Sequence, residues 1–202
     1  MNIEDYFAIP KEIYVVDTET TGLEGGPNDL VVDIGVCSVD ISRGTVRDVY
    51  SSVVGYDITE WNENRTKAWI FENTDLTLED VAAARPFFRV KEDIIRILRG
   101  KVVTSYNVPF DMDKFLFKEP WCLRGMFFIC TDIMKAATEV CKLPSELYGV
   151  SYRFPKLDYA YRTIVKDDPV GIGDKQDHRA LSDAKVASYV MIELYRTGNY
   201  IP

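Results

Sequence analysis

Ile13-Tyr-Val-Val-Asp-Thr-Glu-Thr-Thr-Gly22 is the stretch that decides the fold of this chain. Residues 13–16 are bulky and mostly β-branched or aromatic, without polar alternation, which is typical of a central strand covered on both faces. Asp17 and Glu19 follow, and an extended backbone points both carboxylates to one side, with α-carbons roughly 7 Å apart. This spacing suits one hard cation. The structural alternative is that the acids only mark the strand's exit into a turn.

The composition is that of a chain able to bury a substantial core. It has 202 residues, of which 47% are hydrophobic and 12% aromatic, so we expect a single domain over residues 1–202. No apolar run approaches the roughly 18 residues that span a bilayer, and the first six residues lack the basic and apolar regions of a signal peptide. We therefore expect a cytoplasmic protein without membrane association.

Cysteine usage and charge argue against two classes of site. Cys37, Cys122, Cys130 and Cys141 form no C-x-x-C pair, which disfavours a disulfide framework or zinc site and predicts small buried side chains. The net charge of −8 disfavours a broad hold on duplex DNA, because such binding scales with the phosphates neutralised by Lys and Arg. A protein that holds only the last few nucleotides through metal ions is still compatible with this charge.

Strand and helix patterns alternate along the rest of the chain. Leu30–Asp40 and Thr45–Val54 are β-rich around a tight turn, which predicts three early antiparallel strands with Asp33 near the site but not a ligand. Helices are predicted with Thr77 and Asn107 as caps. The predicted helical stretches are 61–98 with a break at Pro86, 107–118, 131–141, 156–165 and 178–197, with strands at 101–105 and 126–130 and loops at 143–155 and 166–177. This order predicts a mixed α/β sheet flanked by helices.

Two later stretches contain acids that are candidates to join the first pair. Asp111 falls in the first turns of a predicted helix, where it also suits the helix dipole, and Asp113 and Asp132 compete on the same grounds. Asp183 heads an otherwise apolar helical stripe, so it points inward, which is costly unless the carboxylate is paired or metal-bound. His178, the one histidine in the sequence, lies five residues earlier and is expected to approach the same place.

In this order, the three stretches resemble the exonuclease motifs of the DEDDh family, whose members include the proofreading ε subunit of bacterial DNA polymerase III. The motifs are Asp17-x-Glu19, Asn107-x-x-Phe110-Asp111 and His178-x-Ala180-x-x-Asp183-Ala184, and Asp17-Thr-Glu-Thr-Thr-Gly-Leu23 is close to the family's first motif. The resemblance spans about residues 12–197. It implies a ribonuclease-H-like fold, with a mixed five-stranded sheet and helices on both faces.

The resemblance also implies a role for each motif residue. Asp17, Glu19 and Asp183 would bind the first of two divalent ions, Mg²⁺ or Mn²⁺. Asp17 would bridge to the second ion, which Asp111 would hold directly or through water, and His178 matches the family's general base. The substrate-binding positions correspond to Thr20, Leu23 and Asn107, with Leu23 against the terminal base. Residues 61–88 depart from the family pattern, so the resemblance assigns no substrate contact there.

Phosphodiester hydrolysis explains why these residue types would be needed. Two metal ions roughly 3.5–4 Å apart clamp the attacking and leaving oxygens of an in-line displacement. Hard cations prefer carboxylate oxygens, and imidazole accepts protons near neutral pH. We therefore expect a metal-dependent 3′→5′ exonuclease that releases nucleoside 5′-monophosphates from single-stranded or frayed 3′ ends, with DNA favoured.

Two alternative functions stay open at this point. The chain is compatible with an exoribonuclease or oligoribonuclease, because no motif shows a contact to the RNA 2′-hydroxyl. A catalytically silent nucleic-acid-binding module on the same fold is the other, although all five catalytic positions are filled. Proofreading would need a separate polymerase as partner, and the sequence leaves open both that partner and a homodimer.

A modest basic and aromatic region lies ahead of the third motif. Such residues stack bases and meet phosphates in proteins that bind single strands. The structural alternative is a solvated helix face with partly buried tyrosines. The region comprises Tyr152-Arg-Phe154, Lys156, Tyr159, Tyr161-Arg162 and Arg179.

Overall fold

The computed structural model describes residues 10–171 and 178–202. A mixed five-stranded sheet with the order β3-β2-β1-β4-β5 organises them. β1 pairs with β2, and β2 with β3, in antiparallel fashion, whereas β4 is parallel to β1 and β5 to β4. The strands are β1 Ile13–Thr20, β2 Val31–Asp40, β3 Thr45–Val53, β4 Val102–Thr104 and β5 Phe128–Ile129. The predicted α/β fold class and antiparallel start of the sheet are confirmed.

Helices cover both faces of this sheet. Within the described residues, no helix is long and apolar enough to cross a membrane. The helices are α1 Glu63–Thr66, α2 Trp69–Asn73, α3 Leu78–Ala83, α4 Phe87–Leu98, α5 Pro109–Leu116, α6 Ile133–Cys141, α7 Leu157–Ile164 and α8 Ala180–Arg196.

The unbroken apolar run of β1 is explained by a core on each side. Ile13 and Val15 pack into one cluster with residues of α6, α7 and α8. Tyr14 and Val16 pack into another with residues of α4 and α5. A strand covered on both faces needs an apolar side chain at every position. β1 continues to Thr20, so the two acids lie within the strand and not at its exit into a turn.

Two predicted elements differ in extent or type from the structure, and part of a third lies outside the described residues. The strand predicted at 126–130 is only Phe128–Ile129, because it is a short edge strand paired on one side with β4. The helix predicted at 107–118 is α5, a wide π-type helix in which the Phe117 amide donates to the Met112 carbonyl, 2.8 Å away and five residues back. Of the loop predicted at 166–177, residues 172–177 lie outside the described residues.

The two predicted helix caps had different outcomes. Thr77 accepts from the Asp80 amide, and Asp80 accepts from the Thr77 amide, in a reciprocal capping box at α3. Asn107 does not cap α5. The residue at that helix start is Val108, whose amide donates to Asp132 Oδ2 at 2.9 Å.

The cysteines are less uniform than predicted. Cys37 is buried and Cys130 and Cys141 are half-buried, but Cys122 is exposed. The prediction of a buried side chain is therefore wrong for Cys122. It lies next to the buried Trp121 with φ of +51°, and this turn directs its side chain away from the core that Trp121 enters.

Candidate active site

β1 places Asp17 and Glu19 next to the start of the last helix. The two acids face Gly35 and Asp33 across the β1–β2 ladder. A Cβ atom added at Gly35 would lie 2.2 Å from the backbone nitrogen of Leu181, in the first turn of α8. Because Cβ contacts that short do not occur, glycine at this position is what lets α8 lie directly against β2, beside Asp17.

A buried aspartate in β2 holds the start of α8. Asp33 Oδ2 accepts hydrogen bonds from Arg179 Nε at 2.8 Å and from the Ala180 amide at 3.3 Å. These bonds join the strand to the residues that immediately follow His178. The placement agrees with the prediction that Asp33 lies near the site, and its hydrogen bonds give it a structural task.

His178 precedes α8 instead of opening it. The predicted helix start at 178 is wrong, because His178 has a φ of +50° and the helix begins at Ala180. Histidine is one of the residues that adopt this left-handed conformation more often than most. Its ring meets the exposed ring of Trp69 edge-on, with centroids 5.3 Å apart and planes at 89°. This turn brings the imidazole to the cleft that contains Glu19 and Asp183.

Asp111 reaches the site from the opposite helix layer. It lies in α5 and is almost fully buried. The hydroxyl of Thr18, between the two acids of β1, donates to Asp111 Oδ1 at 2.7 Å. Asp132 binds the Val108 amide and also caps α6 through the Lys135 amide, so one side chain fixes both α5 and α6. α5 is thereby positioned with Asp111 toward β1.

The candidate catalytic residues meet in one cleft of about 200 Å³. One ligand atom from each of Glu19, His178 and Asp183 lies within 4.8 Å of the others. The cleft is lined by Asp17, Thr18, Glu19, Tyr106, Asn107, Phe110, Asp111, Leu157, His178 and Asp183. Three stretches that are far apart in the sequence thus contribute to a single site.

Burial and mutual repulsion favour the protonated forms of these carboxyl groups. Burial, and then the charges of Asp111 and Asp183, hold the pKa of Asp17 well above its usual range. Burial, and then Asp183 and Asp33, raise the pKa of Glu19 to about 9. Burial raises the pKa of Asp111 to about 7, although the hydrogen bond from Thr18 opposes the shift. The cluster therefore carries its full negative charge at neutral pH only if cations accompany it.

The two competing aspartates lie elsewhere. Asp113 is exposed and forms an ion pair with Arg124 at 3.2 Å. The Asp132 carboxylate accepts hydrogen bonds from the Val108 and Lys135 amides, as described above. Neither lines the cleft, so the structure leaves them without a place in the candidate site.

No family model matches the chain. Its sequence is similar to that of the 3′-5′ exonuclease DinG of Bacillus subtilis (strain 168), with 23% identity over 191 residues. This similarity covers 93% of the chain but 18% of the relative. The chain thus spans less than a fifth of the length of that curated relative.

Solved structures of exonucleases have a similar fold over nearly the whole length of this chain. The nuclease domain of 3′hExo, a DEDDh family member bound to rAMP, gives a TM-score of 0.63 at 18% identity, covering 95% of either chain. E. coli Exonuclease I in complex with a dA16 oligonucleotide also gives 0.63, at 14% identity, covering 93% of this chain and 41% of that one. The chain has the DEDDh exonuclease fold. The ribonuclease-H-like architecture and the family resemblance predicted from three motifs are confirmed.

The donors in this cleft fit divalent metal ions. Asp17, Glu19, Asp111 and Asp183 offer carboxylate oxygens, the ligands that Mg²⁺ and Mn²⁺ prefer. The raised pKa values of Asp17, Glu19 and Asp111 indicate that the fold holds these carboxyl groups together at an electrostatic cost. Bound cations would remove this cost, since an opposite charge nearby favours the ionised carboxylate.

The predicted substrate-binding residues are placed differently from one another. Asn107 lines the cleft. Leu23 is 72% exposed at the end of the first motif, and its carbonyl accepts from Lys114 Nζ at 2.7 Å. Thr20 donates to the Gly22 carbonyl at 2.7 Å, which shapes the turn that presents Leu23. The structure leaves Leu23 available for an apolar contact, whereas Thr20 serves the turn.

The predicted basic and aromatic region divides into buried and exposed parts. Tyr161 is buried, and its hydroxyl donates to Asp168 at 2.8 Å, while Arg179 binds Asp33. Tyr161 and Arg179 therefore have structural roles, and the alternative to nucleic-acid contact applies to them. Phe154 and Tyr159 are exposed.

Sequence reasoning missed several residues that shape the cleft. Thr18 was passed over between two acids, yet it orients Asp111. Gly35 carried no prediction within its β-rich run, and Arg179 was counted in the basic and aromatic region, with no prediction that it binds Asp33. A glycine inside a strand pattern is a signal of close backbone approach. For Gly35, this signal could have predicted that another element packs directly against β2.

We expect the metal-free protein to lose stability as pH rises. The pKa values of Asp111 and Glu19 in the folded protein, about 7 and about 9, exceed their ordinary values of 3.8 and 4.5. Stability from such groups is fully present below the ordinary values and is lost as pH rises through the folded ones. In EDTA the melting temperature should therefore fall between pH 5 and pH 9.

Saturating Mg²⁺ or Mn²⁺ should raise the melting temperature and flatten that decline, because ions bind the folded state preferentially. Differential scanning fluorimetry at pH 5, 7 and 9, with EDTA or with metal, measures both effects. An unchanged melting temperature at pH 9 in saturating metal would contradict the assignment of the cleft as a metal site.

Proposed function

We propose that this chain is a metal-dependent 3′→5′ exonuclease that releases nucleoside 5′-monophosphates from single-stranded or frayed 3′ ends. The observation that carries the proposal is the convergence of Asp17, Glu19, Asp111, His178 and Asp183 in one cleft. Their order and spacing match the three motifs of the family whose fold the chain shares. Carboxylates that are costly to bring together are readily explained by ions that they jointly bind.

In the proposed mechanism each residue has a separate task. Asp17, Glu19 and Asp183 would hold one divalent ion, and Asp17 with Asp111 would hold a second. When bound, the ions supply positive charge to the attacking and leaving oxygens of an in-line displacement. His178 accepts the proton of the attacking water at an imidazole nitrogen. Its place beside Glu19 and Asp183 supports this role.

The rim of the cleft suits the terminal nucleotide. Leu23 exposes an apolar side chain, and Phe110 and Asn107 line the cleft. A base has an apolar face for Leu23 and Phe110 and a polar edge for the Asn107 amide. We propose that these residues position the 3′-terminal nucleotide, with Thr20 acting indirectly through the turn that holds Leu23.

We favour DNA as the substrate. The complex of E. coli Exonuclease I with dA16 supports this choice, whereas 3′hExo bound to rAMP makes RNA the alternative outcome. A separate polymerase partner and a homodimer stay predictions of the family resemblance.

The test uses 5′-labelled single-stranded DNA and RNA of one sequence, incubated with Mg²⁺, Mn²⁺ or EDTA. We expect a ladder that shortens from the 3′ end, requires metal and is faster on DNA. Faster shortening of RNA would replace the DNA preference with an exoribonuclease. No shortening of either polymer by a protein whose melting temperature rises with metal would overturn the exonuclease and favour the silent module.

A further inference from the structure

The loop before α7 exposes an unusual concentration of apolar surface. Twelve large hydrophobic side chains are exposed in the described residues, and four of them fall between 147 and 154. These are Leu147, Tyr148, Val150 and Phe154, with Leu147 at 71% exposure and Tyr148 fully exposed. Concentrated exposed apolar surface marks an interaction site. We call residues 147–156 the loop platform.

Backbone pairing gives the loop platform a defined shape. Pro144 and Tyr152 form an antiparallel bridge. The Arg153 amide donates to the Leu143 carbonyl at 2.9 Å, and the Ser145 amide donates to the Ser151 carbonyl at 3.3 Å. The two sides of the loop are therefore joined at its base, and its apolar tip projects from a fixed stem.

The loop platform ends at the rim of the candidate active site. The hydroxyl of Tyr106, a residue of the cleft lining, donates to the Pro155 carbonyl at 2.8 Å. Leu157, which follows the platform and begins α7, also lines the cleft. A chain that leaves the cleft on this side meets the platform next.

The charge around the platform favours a polyanion. Residues 142–163 contain four cations, Lys142, Arg153, Lys156 and Arg162, and two acids, Glu146 and Asp158, so the segment has a charge of +2 in a chain of −8. A groove of about 440 Å³ runs between the platform and α6, and its lining includes Lys135, Glu139, Tyr152 and Phe154. Aromatic faces interleaved with cations suit the bases and phosphates of a single strand.

We propose that the loop platform is a second nucleic-acid-binding site, on which nucleotides upstream of the 3′ end stack while that end occupies the cleft. Tyr148 and Phe154 provide the stacking faces, and Arg153 and Lys156 meet the phosphates. This inference rests on the proposed exonuclease function and extends it. On this proposal substrate use depends on strand length, because a dinucleotide has too few nucleotides to occupy the cleft and also stack on Tyr148 and Phe154.

The test compares two substrates and two variants of the full chain. Kinetics are measured on single-stranded dT20 and on the dinucleotide dTpdT, for the double variants Tyr148→Ala/Phe154→Ala and Arg153→Ala/Lys156→Ala. We expect kcat/KM on dT20 to fall about 5- to 30-fold in each, with dTpdT hydrolysis unchanged. Phe128→Ala is the matched control, since Phe128 is an exposed aromatic residue on β5 and should leave both substrates unaffected.

Fluorescence anisotropy of labelled dT20 gives a readout that needs no hydrolysis. Binding should weaken in both double variants and not in Phe128→Ala. Equal losses on dT20 and dTpdT would assign the loop a structural role and overturn the platform. Unchanged binding and kinetics in both double variants would also overturn the platform proposal and would favour a protein partner for this apolar surface. If the wild type hydrolyses neither substrate, the exonuclease proposal fails, while anisotropy still tests the platform.

Discussion

Asp17→Asn is expected to lower the rate of hydrolysis by about 10³-fold while raising the melting temperature of the metal-free protein. Asp17 is the proposed ligand to both ions, and its loss removes charge stabilisation worth about 4 kcal/mol, or about 10³-fold in rate. The same change removes repulsion from Asp111 and Asp183, which is part of what raises the pKa of Asp17. Activity and metal-free stability should therefore move in opposite directions.

Exonuclease rates in Mg²⁺ and melting curves in EDTA measure the two effects of Asp17→Asn. Asp113→Asn is the matched control, because Asp113 is an exposed aspartate of α5 that pairs with Arg124 outside the cleft. It should keep wild-type activity. A metal-free Asp17→Asn protein that melts below the wild type would show that the carboxylate stabilises the fold, contrary to the electrostatics of the cleft.

His178→Asn is expected to lower kcat by about 10²- to 10⁴-fold, the usual contribution of a positioned general base. Asparagine is the informative replacement because it adopts left-handed backbone conformations readily, and His178 has a φ of +50°. The turn into α8 should survive, so that the loss reports the imidazole and not the backbone.

The increase in melting temperature with Mg²⁺ separates two roles of His178. If His178 acts as the base, His178→Asn keeps the increase, since the four carboxylates remain. Loss of the increase together with activity would instead make His178 a metal ligand, which its position within 4.8 Å of Glu19 and Asp183 also permits. Near wild-type kcat would rule out both roles.

Local sequence predicted the central strand, whereas the candidate site residues came from the resemblance of three short motifs to those of the DEDDh exonucleases. Ile13 to Val16 show an unbroken apolar pattern because both faces of β1 are buried, and this pattern needs no knowledge of the partners. The spacing of Asp17 and Glu19, and the Asp183 that interrupts an apolar stripe, are likewise properties of the chain itself. Thr77 was predictable as a cap because a capping box forms within one helical turn.

The tertiary structure decided what depends on residues far apart in the sequence. Asp132 replaced Asn107 at the start of α5, because a carboxylate from the next element reached the Val108 amide. His178 was turned out of the helix because Asp33 holds the residues that follow it. Propensity describes a segment alone, whereas these choices are made by hydrogen bonds between segments. The sequence by itself indicated the five catalytic candidates, and the packing of α8 onto Gly35 and the hydrogen bond from Thr18 to Asp111 determined that they meet in one cleft.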